Sequence, residues 1–218
     1  MPEINLMDRY PRTQRSLIDR LAITDEDRAL ACQFARDYFD GERRHGYGGY
    51  NYHPRYWLAT VRRLQEHYRL GDRPRILDVG CAKGFMLHDF QLLIPGAQLV
   101  GVDVSSYAIS CALPSIRPCL RLGNANSLPF PDRAFDFVAS INTIHNLDLA
   151  DCKRALREIQ RVSQGNAFIV VDAWRTPEQK LRLTEWVLTA KTYMHTDAWI
   201  ALFNEVGYTG DYYWFFFD

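Results

Sequence analysis

Apolar residues in the middle of the chain form short continuous runs that alternate with helical patterns. The strand candidates are RILDV (75–79), QLVGVD (98–103), FDFVAS (135–140) and AFIVVDAW (167–174). The helix candidates between them span 85–93, 105–113 and 150–162. Strands that are apolar on both sides are typical of a parallel sheet covered by helices on both faces. The pattern therefore predicts an α/β fold with a doubly wound, mostly parallel sheet.

Two amphipathic helices precede this pattern. The first begins at Thr24, a typical N-cap followed by acidic side chains, and ends at Gly41. The second starts near Pro54, which suits the first turn of a helix, and ends before Gly71. We therefore predict one compact domain with two parts. These parts are an N-terminal helical extension over 1–70 and a core over 71–218.

The C-terminal part of the chain predicts two more helices and a last strand. The helices span 177–191 and 197–206, and Thr196 and Gly207 are suited to cap the second. The final residues, TGDYYWFFFD, are rich in aromatic side chains, which favour strands. The pattern leaves open whether they form one strand or two.

A stretch rich in glycine and tyrosine, HGYGGYNYHPRYW (45–57), joins the two N-terminal helices. Glycines weaken regular structure, whereas each tyrosine offers a large ring with a hydroxyl that needs a partner when buried. The stretch is either a loop that closes over a ligand or an ordered loop whose rings fill the rim of a core. In an extended segment Tyr50 and Tyr52 would face the same side, opposite to an intervening residue.

The charge balance and the cysteine pattern restrict the classes of partner and the cellular compartment that we expect. Lys plus Arg and Asp plus Glu number 26 each, so no basic excess favours nucleic acid or an anionic membrane. The five cysteines show no C-x-x-C spacing, which is typical of reduced thiols rather than of disulfides or a zinc site. No run approaches about 18 apolar residues, and the first residues lack the apolar core of a signal peptide. We expect a cytoplasmic protein that binds neither nucleic acid nor membrane, and its oligomeric state is left open.

Two nucleotide-binding patterns compete for the segment ILDVGCAKGF (76–85). The dinucleotide fingerprint G-x-G-x-x-G needs glycine at positions 80, 82 and 85, but Ala82 and Phe85 occupy two of them. The pattern acid-x-G-x-G-x-G fits Asp78, Gly80 and Gly84, with Ala82 as its one departure. The segment therefore resembles the first motif of the class I S-adenosylmethionine-dependent methyltransferases, whose core is a Rossmann-like sheet.

The resemblance continues downstream and implies a site for S-adenosylmethionine. Asp103 ends the second strand, where the family's acid accepts hydrogen bonds from both ribose hydroxyls. The segment GNANSLPF (123–130) resembles the family's G-D-A-x-x-L-P-F. Asn124 replaces the acid that accepts from the adenine amino group, and its amide oxygen can accept the same bond. The implied cofactor-binding residues are Asp78, Gly80, Ala82, Gly84, Asp103, Val104, Asn124, Ala125 and Asn142.

The segment SINTIHNL (140–147) follows the fourth strand and places His145 near the expected methyl group. Histidine titrates near neutral pH, as a general base for an oxygen or nitrogen nucleophile must. Family members also carry a histidine here that packs on the cofactor without moving a proton, so both roles stay open. Metal-dependent members need acids after the fourth and fifth strands, and Ser140 and Asn142 supply none after the fourth. We therefore expect no metal.

The resemblance predicts an enzyme that methylates an oxygen or nitrogen of a small molecule of sugar, nucleoside-like or natural-product type. N-terminal segments of the family commonly fold over the cofactor, which favours a lid role for the tyrosine stretch. The residues expected to contact the acceptor are Tyr47, Tyr50, Tyr52, Trp174 and His195. Two alternatives remain open: a binding module that keeps the cofactor pocket without transfer, and a nicotinamide-dependent enzyme.

Overall fold

A computed structural model describes residues 2–11, 23–48 and 50–217. Residues 12–22 of the predicted N-terminal extension and Gly49 of the predicted lid lie outside the described residues. The division of the chain at residue 70 stays a prediction.

The described strands form a parallel sheet. They are β1 (Arg75–Val79), β2 (Gln98–Asp103), β3 (Leu120–Leu122), β4 (Phe137–Ile141), β5 (Ala167–Trp174), β6 (Met194–His195) and β7 (Asp211–Phe215). Their order is β3-β2-β1-β4-β5, with β7 beside β5 and β6 paired to the last two residues of β5. The order reverses between β1 and β4, so a crevice opens where the carboxyl ends of these strands diverge. The predicted doubly wound sheet is confirmed.

Helices cover both faces of this sheet. They are α1 (Asp25–Ala31), α2 (Arg36–Asp40), α3 (Pro54–Tyr68), α4 (Phe85–Leu93), α5 (Ser106–Ser110), α6 (Leu149–Val162), α7 (Pro177–Trp186) and α8 (Thr196–Val206). Leu64 of α3 and Phe90 of α4 pack with Ile76 in one buried cluster. Leu156 of α6 packs with Leu77 in another, because neighbouring residues of β1 face opposite layers. No helix in the described ranges has the length and apolar character needed to cross a lipid bilayer.

The first predicted helix is interrupted in the structure. Thr24 caps α1 as predicted, since its hydroxyl accepts from the Asp27 N–H while the Asp27 carboxylate accepts from the Thr24 N–H. The prediction of one continuous helix is wrong, because α1 ends at Ala31 and α2 starts only at Arg36. Phe34 lies between them with φ of 49°, in the left-handed region that breaks a helix.

Two further predicted helices end earlier than the pattern indicates. α3 ends because Arg69 adopts a left-handed conformation, two residues before Gly71. α7 ends at Trp186 rather than at Lys191. The chain after α7 returns to the end of β4, where the carbonyl oxygen of His145 accepts the Lys191 N–H (2.9 Å).

The last elements are a helix and a single strand. His195, rather than the predicted Thr196, caps α8, because its Nδ1 accepts the Asp197 N–H (3.1 Å). Gly207 ends this helix as predicted, and the final residues form the single strand β7. β3 and β6 were not predicted, since runs of three and two residues carry no periodic signal.

Residues at the start of the described chain cover the outer edge of β7. The Ile4 N–H donates to the Tyr212 carbonyl oxygen (2.9 Å), and the Tyr212 N–H donates to the Pro2 carbonyl oxygen (3.3 Å). Leu6 is fully buried in the same cluster as Ile76. An edge strand otherwise presents unpaired backbone groups, so this pairing satisfies part of that edge.

Candidate functional site

The loop from β1 to α4 begins with a glycine at a position where a side chain has no room. Gly80 has φ of 85°, and its N–H donates to the Val102 carbonyl oxygen of β2 (2.7 Å). A Cβ at this position would lie 2.1 Å from Oγ1 of Thr143, which follows β4. Glycine therefore allows the ends of β1, β2 and β4 to approach one another.

Asp103 joins this loop to the end of β2. One carboxylate oxygen accepts the Ala82 N–H (2.7 Å), and the other accepts the Ser105 N–H (2.8 Å). Burial raises the pKa of the Asp103 carboxyl, and these backbone donors oppose the shift. Each oxygen keeps a further lone pair, so Asp103 can still accept hydrogen bonds from the hydroxyls of a ligand.

Asp78, in β1, is a buried carboxyl that no hydrogen bond from the described residues reaches. Only 4% of the residue is exposed. Burial raises the pKa of its carboxyl to about 8, and the nearby Asp103 carboxylate adds to the shift. A buried carboxylate without a partner is costly, so the site is suited to a ligand that brings an ammonium group.

A cavity of about 1250 Å³ opens at this edge of the sheet. The predicted cofactor residues that line it are Asp78, Gly80, Ala82, Asp103, Val104, Asn124, Ala125 and Asn142. Gly84 does not line it; this glycine begins α4 with φ of 73°, where a Cβ would press on Leu120. A pocket for one drug-sized ligand measures roughly 300–1000 Å³, so this cavity has room for two ligands side by side.

Three residues of the cavity wall adopt the left-handed conformation that glycine prefers. They are Phe34 (φ 49°), Ala82 (φ 49°) and Asn142 (φ 51°). Such a conformation costs about 1–3 kcal/mol and is concentrated at ligand sites. Ala82 stands where the family motif has glycine, and it nevertheless takes the conformation of a glycine.

Two asparagines supply neutral polar groups to the cavity. Oδ1 of Asn124 accepts the Asn126 N–H (3.1 Å), which leaves its amide NH₂ and a second lone pair for a ligand. The Asn142 N–H donates to the Val170 carbonyl oxygen of β5 (2.9 Å), which fixes this residue at the end of β4. Within the described ranges, no three His, Cys, Asp or Glu side chains converge as metal ligands would.

His145 lines the cavity and is held by Asp172 at the end of β5. Its Nδ1 accepts the Asp172 N–H (2.9 Å), and its Nε2 lies 3.6 Å from the Asp172 carboxylate. Burial lowers the pKa of the imidazole, so the neutral ring carries its proton on Nε2. Neither nitrogen then offers a lone pair to an acceptor. The geometry opposes the predicted base role of His145 and favours a role in positioning Asp172, which also lines the cavity.

The predicted lid tyrosines face different directions. Tyr47 lines the cavity, and its hydroxyl accepts the Leu188 N–H (2.7 Å). Tyr50 lines it as well, with a hydroxyl that is buried and has no partner among the described residues. Tyr52 turns away, because its hydroxyl donates to the buried carboxylate of Asp89 on α4 (2.5 Å). The prediction that Tyr50 and Tyr52 share a side is therefore wrong, and an acceptor contact for Tyr52 stays a prediction.

Trp174 and His195, predicted to contact the acceptor, lie outside the cavity wall. β5 continues past the cavity as far as Trp174, where it pairs with β6. The Trp174 ring packs against the ring of His195 (4.9 Å between centroids) and against Nζ of Lys180 (5.0 Å). His195 caps α8, and contacts of these two residues with an acceptor stay predictions.

The cavity also has aromatic residues that the sequence did not indicate as functional. They include Phe34, Tyr38, Trp186 and Phe217. Burial raises the pKa of Tyr38, and the charges of Asp103 and Asp172 add to the shift. Tyr38 lines the same cavity as these two acids. Its place on the apolar face of a predicted helix is typical of a core residue, and no signal marked it as a site residue.

A family model described as a methyltransferase domain matches residues 77–171, from β1 into β5. The match spans Asp78, Asp103 and His145, and the fold and the cavity agree with it. Residues 77–171 are therefore similar to a methyltransferase domain. The matched region runs through the parallel sheet that has the cavity at its carboxyl edge.

Proteins similar to this chain carry methyltransferase names that give different acceptors. A demethylmenaquinone methyltransferase from Symbiobacterium thermophilum is 33% identical over 147 residues, 63% of this chain and 57% of that protein. A malonyl-[acyl-carrier protein] O-methyltransferase from Legionella pneumophila is 29% identical over 137 residues, 61% of this chain and 47% of that protein. The YcgJ protein from Bacillus subtilis has the same fold, with a TM-score of 0.56 at 22% identity over 67% of this chain and 66% of that chain. The chain spans about half the length of the curated relatives it matches.

Proposed function

We propose that this chain transfers a methyl group from S-adenosylmethionine to an oxygen or nitrogen of a small-molecule acceptor. The observation that carries the proposal is a single cavity that joins two buried acids to an aromatic wall. Asp78 lacks a donor that the ammonium of this cofactor would supply, and Asp103 keeps lone pairs for its ribose hydroxyls. When bound, S-adenosylmethionine supplies an electrophilic methyl group on a sulfonium.

The contribution of the chain is to position the acceptor and to exclude water. Methyl transfer is a direct displacement, so the acceptor atom must lie in line with the methyl carbon and its leaving group. The aromatic residues of the cavity restrict the acceptor to one orientation and displace water from the site. Tyr38 lines the same cavity as Asp103 and Asp172 and is one of these aromatic residues.

An acceptor that reacts through a hydroxyl must also lose its proton. We propose that the carboxylate of Asp172 receives this proton. Both ring nitrogens of His145 face Asp172, so the imidazole has no lone pair for the acceptor. The carboxylate of Asp172 lines the cavity at the end of β5. His145 then acts through Asp172, by holding the backbone and the carboxylate of that residue in place.

Of a sugar, a nucleoside-like molecule and a natural product, the cavity favours a natural product with a planar ring. The aromatic residues at this wall are Phe34, Tyr38, Tyr47, Tyr50 and Trp186. Such rings stack on planar groups and leave few donors for the many hydroxyls of a sugar. Arg43 is a cationic residue of the same wall, and its guanidinium donates to the Gly46 carbonyl oxygen (2.9 Å). The names of the relatives include two different acceptors, so these names do not favour one acceptor for this chain.

Two measurements test this function. Calorimetric titration should show binding of S-adenosylhomocysteine and none of NAD, because Phe85 and Ala82 replace the glycines of the dinucleotide fingerprint. Incubation with S-adenosylmethionine and a panel of a phenol, a nucleoside and a sugar should yield a methylated phenol by mass spectrometry. Asp103→Ala is the matched negative control. Cofactor binding without any methylated product would favour the non-catalytic binding module, and NAD binding would favour the nicotinamide-dependent enzyme.

A further inference from the structure

Lys83, in the loop between β1 and α4, is a buried lysine whose two partners lie outside its own loop. Its Nζ lies 2.5 Å from Oδ1 of Asp40 and donates to the carbonyl oxygen of Tyr50 (2.6 Å). Only 6% of its side chain is exposed. Lysine is buried to this extent only when it is paired. The contact fixes residues 34–48 and 50–52, which we call the cover segment, against the loop.

The loop after β2 holds the same segment. The second carboxylate oxygen of Asp40 accepts the Tyr107 hydroxyl proton (2.8 Å). Oγ of Ser105 donates to the Phe34 carbonyl oxygen (2.5 Å). Ser105 and Tyr107 closely follow Asp103 in the chain. The segments that follow β1 and β2, next to the buried acids Asp78 and Asp103, therefore both contact the cover segment directly.

The cover segment in turn forms much of the acceptor wall. The cavity residues that it contributes are Phe34, Tyr38, Phe39, Arg43, Tyr47, Gly48, Tyr50 and Asn51. The acceptor compartment is therefore complete only when this segment lies against the two loops. Its position depends on Lys83 and Tyr107, neither of which belongs to the predicted site.

We propose that Asp40, Lys83 and Tyr107 form a latch that couples cofactor binding to closure of the cover segment over the acceptor. The inference rests on the proposed function. A ligand that orders both loops places Lys83 and Tyr107 where Asp40 can meet them at once. By thermodynamic reciprocity, closure of the segment raises the affinity for that ligand. Lys83 is thus a positioning residue that acts through Asp40.

The Asp40 end of the latch is partly exposed to solvent. The Asp40 side chain is 28% exposed, so water can solvate its carboxylate when Lys83 withdraws. Burial raises the pKa of this carboxyl, but the Lys83 ammonium and the Tyr107 hydroxyl hold it below its usual value, so it stays charged at neutral pH. Gly48, with φ of 96°, supplies a flexible joint within the segment.

Hydrogen exchange with S-adenosylhomocysteine as the probe tests the latch. In the wild type, the probe should slow exchange in the cover segment as well as in residues 80–84 and 103–107. In Asp40→Asn, protection of 80–84 should persist while the added protection of the cover segment is lost, and probe affinity should fall about fivefold. Tyr107→Phe should show a smaller loss of the same kind. Asp37→Asn, on the same helix but without a hydrogen bond to either loop among the described residues, is the matched control and should behave as wild type.

Three results would overturn the latch. The first is a cover segment that is equally protected with and without the probe in the wild type. The second is an Asp40→Asn variant that keeps the added protection; if that variant fails to fold, full protection in Tyr107→Phe decides against the latch. The third is a failure of the wild type to bind the probe, which would overturn the proposed function and the latch with it. Binding without coupling would overturn the latch alone.

Discussion

The carboxyl edge of the sheet and the cover segment both line the cavity, but different interactions hold them. Asp78 and Gly80 are placed by the backbone pairing of β1 with β2 and β4. The cover segment has no strand pairing with the sheet, and side chains such as Lys83 and Ser105 hold it across long stretches of sequence. A site held by backbone pairing tolerates changes in its side chains, whereas one held by side chains depends on a few contacts.

The largest expected effect comes from Asp103, a side chain that matters to both regions. Asp103→Ala removes hydrogen bonds to the ribose hydroxyls and releases the loops that carry Lys83 and Ser105. We expect the affinity for S-adenosylhomocysteine to fall tenfold to a hundredfold, or about 1.5–3 kcal/mol, by calorimetry. Asp103→Asn, which keeps an acceptor oxygen, should lose less. An unchanged affinity in a folded alanine variant would contradict the placement of the ribose here.

Substitution of His145 tests whether the carboxyl edge of the sheet also depends on a side-chain contact. His145→Ala leaves the buried Asp172 N–H without its acceptor, so the free energy of unfolding should fall by about 1–3 kcal/mol in a denaturant titration. Cofactor affinity should stay nearly unchanged. His145→Gln, whose amide oxygen can accept the same bond, is the control and should recover part of the stability. A general base would instead give a turnover loss of about a hundredfold with no loss of stability.

Asp78 should make cofactor affinity depend on pH. Its raised pKa of about 8 means that the free carboxyl is protonated below that pH, whereas an ammonium ligand needs the carboxylate. Affinity for S-adenosylhomocysteine should therefore fall by about tenfold for each pH unit below about 8 and level off above it. Asp78→Asn should bind more weakly at high pH and lose this slope. A flat profile in the wild type would show that the carboxylate is already ionised in the free protein.

The smallest expected effect is the difference in stability between variants of Tyr50 and Tyr52 in the cover segment. Tyr52→Phe removes the one hydrogen-bond donor to the buried Asp89 carboxylate among the described residues and should cost about 1–3 kcal/mol of stability. Tyr50→Phe removes a hydroxyl without a partner among the described residues, so stability should change by less than about 0.5 kcal/mol. Thermal or chemical unfolding of the pair measures the difference. Equal losses would place both hydroxyls in comparable surroundings.

The sequence predicted the sheet and its acids because local patterns determine both. Continuous apolar runs identified β1, β2 and β5, and an acid at a strand end lies at the carboxyl edge whatever the loops do. Gly80 was predictable for the same reason, since a tight turn from strand to helix requires it. Most of the predicted cofactor residues consequently line the cavity.

The cover segment could not be predicted because its structure depends on distant contacts. Phe34 breaks a helix whose apolar pattern is continuous, and its carbonyl oxygen meets Ser105 far along the chain. Tyr52 reverses the expected alternation because Asp89 on α4 captures its hydroxyl. Neither contact leaves a periodic signal in the sequence. β5 itself has the predicted bounds, and Trp174 at its end lies outside the cavity wall.

The left-handed conformation of Ala82 has a consequence for how the loop evolves and binds. Its methyl group destabilises this conformation by roughly 1–2 kcal/mol relative to glycine, which has no such preference. The same methyl group removes many of the alternative conformations that a glycine would sample in the free loop. The loop therefore loses less conformational entropy when a ligand arrives. An alanine at this position therefore restricts the free loop to fewer conformations than glycine would, and the ligand completes its ordering.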